Sequence, residues 1–214
     1  MEEKTEQRKV KSAVVFTGGG CHTEKVELPD APDLTVAADS GLKTARACGV
    51  RVDLLAGDFD SYTDELPGDA EIVRVPAEKD MTDTVLACDL AIERGAREIL
   101  IVGGTGGRLD HELSNLFYLE VLRRRGIRAA LTDGENTARV LIDEECTVPQ
   151  RGGYFSVFAL DTEGCEVSLS GCRYPLENAR LTRADPSLGV SNEVVGAYAV
   201  IKVRGAAMVM TSVK

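Results

Sequence analysis

The 214-residue sequence has no run approaching the ~18 apolar residues of a membrane span, and its opening stretch, Met1-Glu2-Glu3-Lys4-Thr5-Glu6-Gln7-Arg8-Lys9, precedes no secretory apolar core. Both absences lead us to expect a cytoplasmic protein without a membrane partner. Basic residues are in deficit: 25 Lys and Arg stand against 35 Asp and Glu, a formal charge of -10. Binding nucleic acid by neutralising phosphates needs clustered Lys and Arg, so a nucleic-acid partner is disfavoured. The six cysteines, Cys21, Cys48, Cys88, Cys146, Cys165 and Cys172, include no Cys-x-x-Cys pair. Small buried thiols are therefore expected in place of a zinc or disulfide framework. No internal repeat or low-complexity tract is found.

What is present has two rhythms. The first half alternates strand-like and helix-like segments. Ala13-Val14-Val15-Phe16 runs into Thr17-Gly18-Gly19-Gly20, and Leu34-Thr35-Val36-Ala37-Ala38 into Asp39-Ser40, followed by Leu42, Ala45 and Cys48 on one helical face. Asp53-Leu54-Leu55-Ala56 and Ile72-Val73-Arg74-Val75 read as strands, while Val85, Cys88 and Ile92 mark a helix ending near Gly95. Glu98-Ile99-Leu100-Ile101-Val102 is the clearest strand; beyond it Leu113, Leu116, Phe117 and Val121 line a helix that stops at Gly126, and Ala129-Ala130-Leu131 forms another short strand. This alternation predicts a mainly parallel sheet covered by helices. After Asp143 the runs shorten and alternate, as in Tyr154-Phe155-Ser156-Val157-Phe158, predicting an antiparallel β-sandwich. The fold class expected is α/β: a mainly parallel α/β domain over 1–145, then a β-sandwich domain over 146–214, with Thr147-Val148-Pro149-Gln150-Arg151-Gly152-Gly153 as the boundary.

Six aspartates, Asp39, Asp58, Asp60, Asp80, Asp83 and Asp110, fall where successive strands end. If those strands are parallel neighbours, their carboxyl ends share one rim. Asp58 and Asp60, two residues apart in an extended segment, present oxygens to one side and form a plausible cation seat; a hydrogen-bonded turn is the competing reading. In Lys79-Asp80-Met81-Thr82-Asp83, Asp80 or Thr82 either caps the helix that follows or shares an anion site with its amides and Lys79. Gly103-Gly104-Thr105-Gly106-Gly107-Arg108 allows close backbone approach to a ligand and offers amides and a guanidinium to phosphate. It lacks both the Lys-Ser/Thr ending of a Walker loop and the spacing of a dinucleotide fingerprint. His111 is either a proton-exchanging or a locally hydrogen-bonded group, and no base role is assigned to it.

Taken together, Ala38-Asp39-Ser40-Gly41, Gly57-Asp58-Phe59-Asp60-Ser61, Lys79-Asp80-Met81-Thr82-Asp83, Gly106-Gly107-Arg108-Leu109-Asp110-His111 and Ser191-Asn192-Glu193 resemble, in order and approximate spacing, the motifs of bacterial thiamine pyrophosphokinases. The resemblance covers nearly the whole chain. It implies transfer of a pyrophosphoryl group from ATP to the thiamine hydroxyl, with AMP leaving. It places Mg²⁺ at Asp58, Asp60 and Asp80, with Lys79 and Arg108 as further catalytic groups. Gly18, Gly19, Asp39, Thr82, Asp83, Gly106, Gly107, Arg108 and Asp110 would serve the nucleotide. Ser191, Asn192 and Asp110 would serve thiamine. It further implies a homodimer whose sites are shared between subunits, Ser191 and Asn192 facing thiamine from the partner. One departure concerns the acceptor: animal members place a tryptophan near the C-terminus, whereas this chain has no Trp and carries Met208 and Met210 there. A related pyrophosphokinase for another hydroxymethyl heterocycle, and a non-catalytic nucleotide or thiamine sensor, are the alternative functions.

Overall fold

The structure is a computed structural model that describes residues 10–58, 66–74 and 81–213; Asp60, Lys79 and Asp80 lie outside them. The first half contains β1 (Ser12–Phe16), β2 (Leu34–Ala38), α1 (Gly41–Ala47), β3 (Leu54–Gly57), β4 (Glu71–Arg74), α2 (Asp83–Glu93), β5 (Glu98–Val102), α3 (Leu109–Arg124) and β6 (Arg128–Thr132). Then follow β7 (Asn136–Ile142), β8 (Glu145–Pro149), β9 (Tyr154–Ala159), β10 (Cys165–Ser170), β11 (Leu176–Leu181), β12 (Tyr198–Arg204) and β13 (Ala206–Ser212).

Central strands such as β1 and β2 are apolar on both faces because both faces are covered, and they sit in a nine-stranded sheet of order β4-β3-β2-β1-β5-β6-β7-β13-β9. The first six strands run parallel, in register Val14↔Thr35 and Val14↔Leu100 on either side of β1. Helices α2 and α3 cover one face around Val15, Val36, Ile101, Leu119 and Leu122. On the other face α1 packs its Leu42 and Ala45 with Val14, Phe16 and Leu55. The parallel α/β expectation for the first half is thus met.

From β6 onward the pairing becomes antiparallel, through β7, β13 and β9. These three strands turn one face to a second sheet of order β11-β10-β12-β8, and Phe155, Val157, Val167, Ile201 and Val209 fill the space between. The sandwich therefore borrows three strands of the long sheet. The expected 145/146 boundary lies inside β8, and Thr147–Pro149 of the anticipated linker completes that strand.

The helix faces differ from expectation. In α3 the residues that go inward are Asn115, Tyr118, Leu119 and Leu122, with the expected Leu116 half-buried against the same core, whereas Leu113, Phe117 and Val121 are 48%, 52% and 48% exposed. The helix is apolar on two sides, so periodicity fixed its existence but not which side meets the sheet. In α2 the fully buried set is Thr84, Ala87, Cys88 and Ala91; of the expected face Cys88 is at its centre, while Val85 and Ile92 are half-buried at its margin against the same core.

Candidate active site

The strand order reverses beside β1: β2 lies on one side and β5 on the other. In an open parallel sheet the loops leaving two such strands diverge and open a crevice at their carboxyl ends. Here that crevice is a cavity of about 360 Å³ lined by Thr17, Gly18, Gly19, Asp39, Ser40, Thr82, Asp83, Thr84, Gly104, Thr105, Gly107, Arg108, His111, Glu112 and Asn115, with Ala38 behind them. Most come from the ends of β1, β2 and β5 and the first turns of α2 and α3.

The loops interlock through backbone. Gly20 N–H donates to the Thr105 carbonyl at 2.5 Å, and Gly104 N–H to the Gly18 carbonyl at 2.8 Å. Gly106 has φ of +68°, and a Cβ there would meet the Gly20 Cα at 2.9 Å, so only glycine fits this crossing. Asn115, buried in α3, donates from Nδ2 to the Gly104 carbonyl at 3.0 Å and holds the second loop from beneath. Thr17 Oγ1 and Thr84 Oγ1 meet at 2.9 Å, joining the end of β1 to the first turn of α2.

Thr82 is the N-cap of α2, its hydroxyl accepting from Val85 N–H at 3.3 Å, and Asp83 follows in the first turn. Capping and cavity lining therefore coexist on one turn. Asp39 sits at φ of 42°, a left-handed conformation that short polar side chains tolerate, with its N–H bound to the Ala56 carbonyl at 2.9 Å. A Cβ on Gly57 would lie 3.3 Å from the Asp39 Cα. Asp58, half-buried just beyond β3, is thus brought beside the end of β2.

The electropositive groups of the second loop are already engaged. Arg108 Nη2 meets Asp110 Oδ2 at 2.6 Å and its Nε meets Oδ1 at 3.2 Å. This guanidinium holds the Asp110 carboxyl below the usual carboxylate range. Gly107 N–H donates to Glu112 Oε1 at 2.8 Å. A carboxylate thus already occupies a loop amide at a helix start, the type of position that accepts phosphate.

Of the residues anticipated, Gly18, Gly19, Asp39, Thr82, Asp83, Gly107 and Arg108 converge on this cavity. Gly106 shapes the loop crossing and lines an adjoining cavity of about 490 Å³ with Thr105, Glu112, Leu116, Asp133, Tyr154, Phe158 and Met210. Asp110 is exposed, paired to Arg108, and does not line the main cavity. Ser191 and Asn192 are absent from both linings. Asn192 is buried and its amide serves the fold: Oδ1 accepts from Tyr174 and Glu193 N–H, each at 3.0 Å, and Nδ2 donates to the Tyr174 carbonyl at 2.7 Å. Ser191 is exposed at φ of 58°, with its N–H on Ser156 Oγ at 3.1 Å. Met208 is buried in the core. Sequence reasoning passed over Thr17, Ser40, Thr84, Glu112 and Asn115; a polar residue inside an apolar helical stripe, as at Asn115, was the available signal.

Residues 27–131 match the thiamin pyrophosphokinase catalytic domain, and residues 140–207 match the thiamin pyrophosphokinase vitamin B1 binding domain. The thiamine pyrophosphokinase of Bacillus subtilis (strain 168) is 32% identical over 173 residues, covering 78% of this chain and 80% of that protein. The crystal structure of a Bacillus subtilis thiamine pyrophosphokinase superposes with a TM-score of 0.84 at 26% identity, covering 95% of this chain and 100% of the other. That of a Geobacillus thermodenitrificans thiamin pyrophosphokinase gives 0.78 at 29% identity, with 95% and 98% covered. With both halves matched in order, and the fold and switch-point cavity in place, the chain belongs to the thiamine pyrophosphokinase family.

Proposed function

We propose that this enzyme transfers the terminal pyrophosphoryl group of ATP to the hydroxyl of thiamine, releasing AMP, in a Mg²⁺-dependent reaction in the cytoplasm. The observation that carries the reading is the switch-point cavity, which gathers two glycine-rich loops, the first turns of two helices, a guanidinium and carboxylates on one rim. The polyphosphate would lie against the loop amides of Gly18 and Gly19 and, displacing the Glu112 carboxylate, that of Gly107, where the positive ends of α2 and α3 favour anions. Arg108, released from Asp110, would neutralise charge developing on the leaving phosphate.

The residues present suit a hard divalent cation. Asp39, Asp58 and Asp83 supply only oxygen ligands, and among the described residues no three His, Cys, Asp or Glu side chains form a closed metal cage. Mg²⁺ commonly takes one or two carboxylates and completes its shell with water and substrate phosphates. Asp58, with Asp60 and Asp80 of the same motifs, would hold it, and Lys79 would add a phosphate contact. Bound there, the ion would supply charge neutralisation and alignment of the phosphate chain.

The thiamine site would be shared in a homodimer. Two exposed apolar surfaces support this: Leu109, Leu113, Phe117 and Val121 on α3 beside the cavity, and Tyr174, Val190, Val195 and Tyr198 around Ser191 on the sandwich. Exposed apolar groups clustered in this way mark association surfaces. A two-fold arrangement would set the Ser191 surface of one subunit near the cavity of the other.

The protein incubated with ATP, Mg²⁺ and thiamine is expected to form AMP and thiamine pyrophosphate in equal amounts. Formation of ADP, or AMP without pyrophosphorylated thiamine, refutes the assignment.

A further inference from the structure

We propose that Asp133, in the β6–β7 turn, is a positioning residue that sets the spacing of the two glycine-rich loops lining the cavity. The inference rests on the reading of that cavity as the nucleotide site.

A turn aspartate ordinarily spends its carboxylate on its own turn. Oδ1 of Asp133 does so, accepting from Glu135 N–H at 2.9 Å and Asn136 N–H at 2.6 Å. Oδ2 reaches further: besides Asn136 Nδ2 at 3.0 Å it accepts the Thr105 hydroxyl at 3.1 Å, from the middle of the second glycine loop. The Asp133 carbonyl in turn accepts His22 N–H at 2.7 Å, at the end of the first glycine loop.

These contacts close a ring. Gly20 N–H binds the Thr105 carbonyl, the Thr105 hydroxyl binds Asp133, and Asp133 binds His22, two residues from Gly20. Thr105 is therefore held on both sides, and neither loop can shift without breaking a member of the cycle. Backbone approach is tight as well: Gly134 has φ of +93°, and a Cβ there would collide with the His22 carbonyl oxygen. Burial pushes the Asp133 carboxyl upward, but hydrogen bonds from the Asn136 side chain and N–H, Glu135 N–H and Thr105 outweigh it. The acceptor stays anionic, and bonds to an anionic acceptor are the stronger kind.

The dependence is on the Thr105 hydroxyl, so the test separates it from the turn. Thr105→Val keeps the shape and removes the donor; Thr105→Ser keeps the donor. Calorimetric titration with ATP and Mg²⁺, steady-state kinetics and thermal melts would be run on the unsubstituted protein and both variants. Thr105→Val should weaken ATP binding and raise KM for ATP about tenfold with kcat within about twofold, a change of about 1.4 kcal/mol. Its Tm should fall by less than about 4 °C, and Thr105→Ser should restore ATP affinity. Equal ATP affinity in the unsubstituted protein and Thr105→Val, or a Ser variant as impaired as the Val variant, overturns the positioning role alone. Failure of the unsubstituted protein to bind ATP overturns the nucleotide reading and this inference with it.

Discussion

The Thr17–Thr84 hydroxyl pair offers a sharp test of how the cavity floor is held. The oxygens lie 2.9 Å apart and the residues are 6% and 5% exposed. Replacing either by valine keeps the branched shape but leaves the other hydroxyl buried without its partner, which costs about 1–3 kcal/mol. Replacing both removes the orphan. Two valines of nearly the same volume should pack where the hydroxyls met, so the double variant should lose less than about 1 kcal/mol. The two singles together would lose about 2–6 kcal/mol against less than about 1 for the double, a coupling of at least about 1 kcal/mol, as expected of directly touching residues. Urea titrations followed by far-UV circular dichroism, the chain having no tryptophan, would show each single variant's midpoint lowered by roughly 0.5–1 M and the double variant's largely restored. Activity should separate from stability. Both residues line the cavity, so the stable double variant should still show a raised KM for ATP. Additive losses, with the double variant worse than either single, would refute the reasoning.

Two further outcomes follow from exposure and burial. Phe117→Glu should leave the far-UV spectrum unchanged but convert the proposed homodimer to monomer by light scattering, because the ring is exposed on α3; a stable, dimeric Phe117→Glu protein would show that another face associates. Burial, assisted by the negative potential of Cys48, Asp133 and Glu24, pushes the Cys21 thiol up to about 11. Burial likewise pushes Cys165 up to about 11 and raises Cys88 further. Their thiolates are scarce at neutral pH, so native labelling with an aromatic disulfide should be slow and accelerate about tenfold per pH unit. Rapid labelling of Cys21 at pH 7 would contradict this.

Strands and turn residues were the readable part of this chain. The runs ending at Phe16, Ala38 and Val102 are strands, and the residues following each, Thr17, Asp39 and Gly103, enter the cavity loops. That relation is local: a parallel strand with both faces buried is apolar throughout, and its end is punctuated by glycine or aspartate. Packing partners were less readable. Helix α3 carries apolar residues on two sides, and the choice between them depends on Asn115 reaching the Gly104 carbonyl, which no periodicity encodes. Strands β7, β8 and β11 were passed over because their edge or polar positions, such as Arg139 and Asn178, break the alternation. Asn192 was read as a substrate contact, but its amide is spent on Tyr174 and Glu193. A motif match says that a residue is placed, not which of its atoms remain available.

The position of β13 in the long sheet bears on how the protein is made. It lies between β7 and β9, and 64 positions separate Ile142 at the end of β7 from Ala206 at the start of β13. During synthesis at ~5–20 residues per second, β7 therefore waits roughly 3–13 s for the strand that covers its edge. Throughout that interval Ala138, Val140 and Leu141 border an unpaired ladder, the kind of surface that recruits another chain. The nascent catalytic half is thus an open-edged intermediate, vulnerable to aggregation on the ribosome until the strand that closes it has emerged.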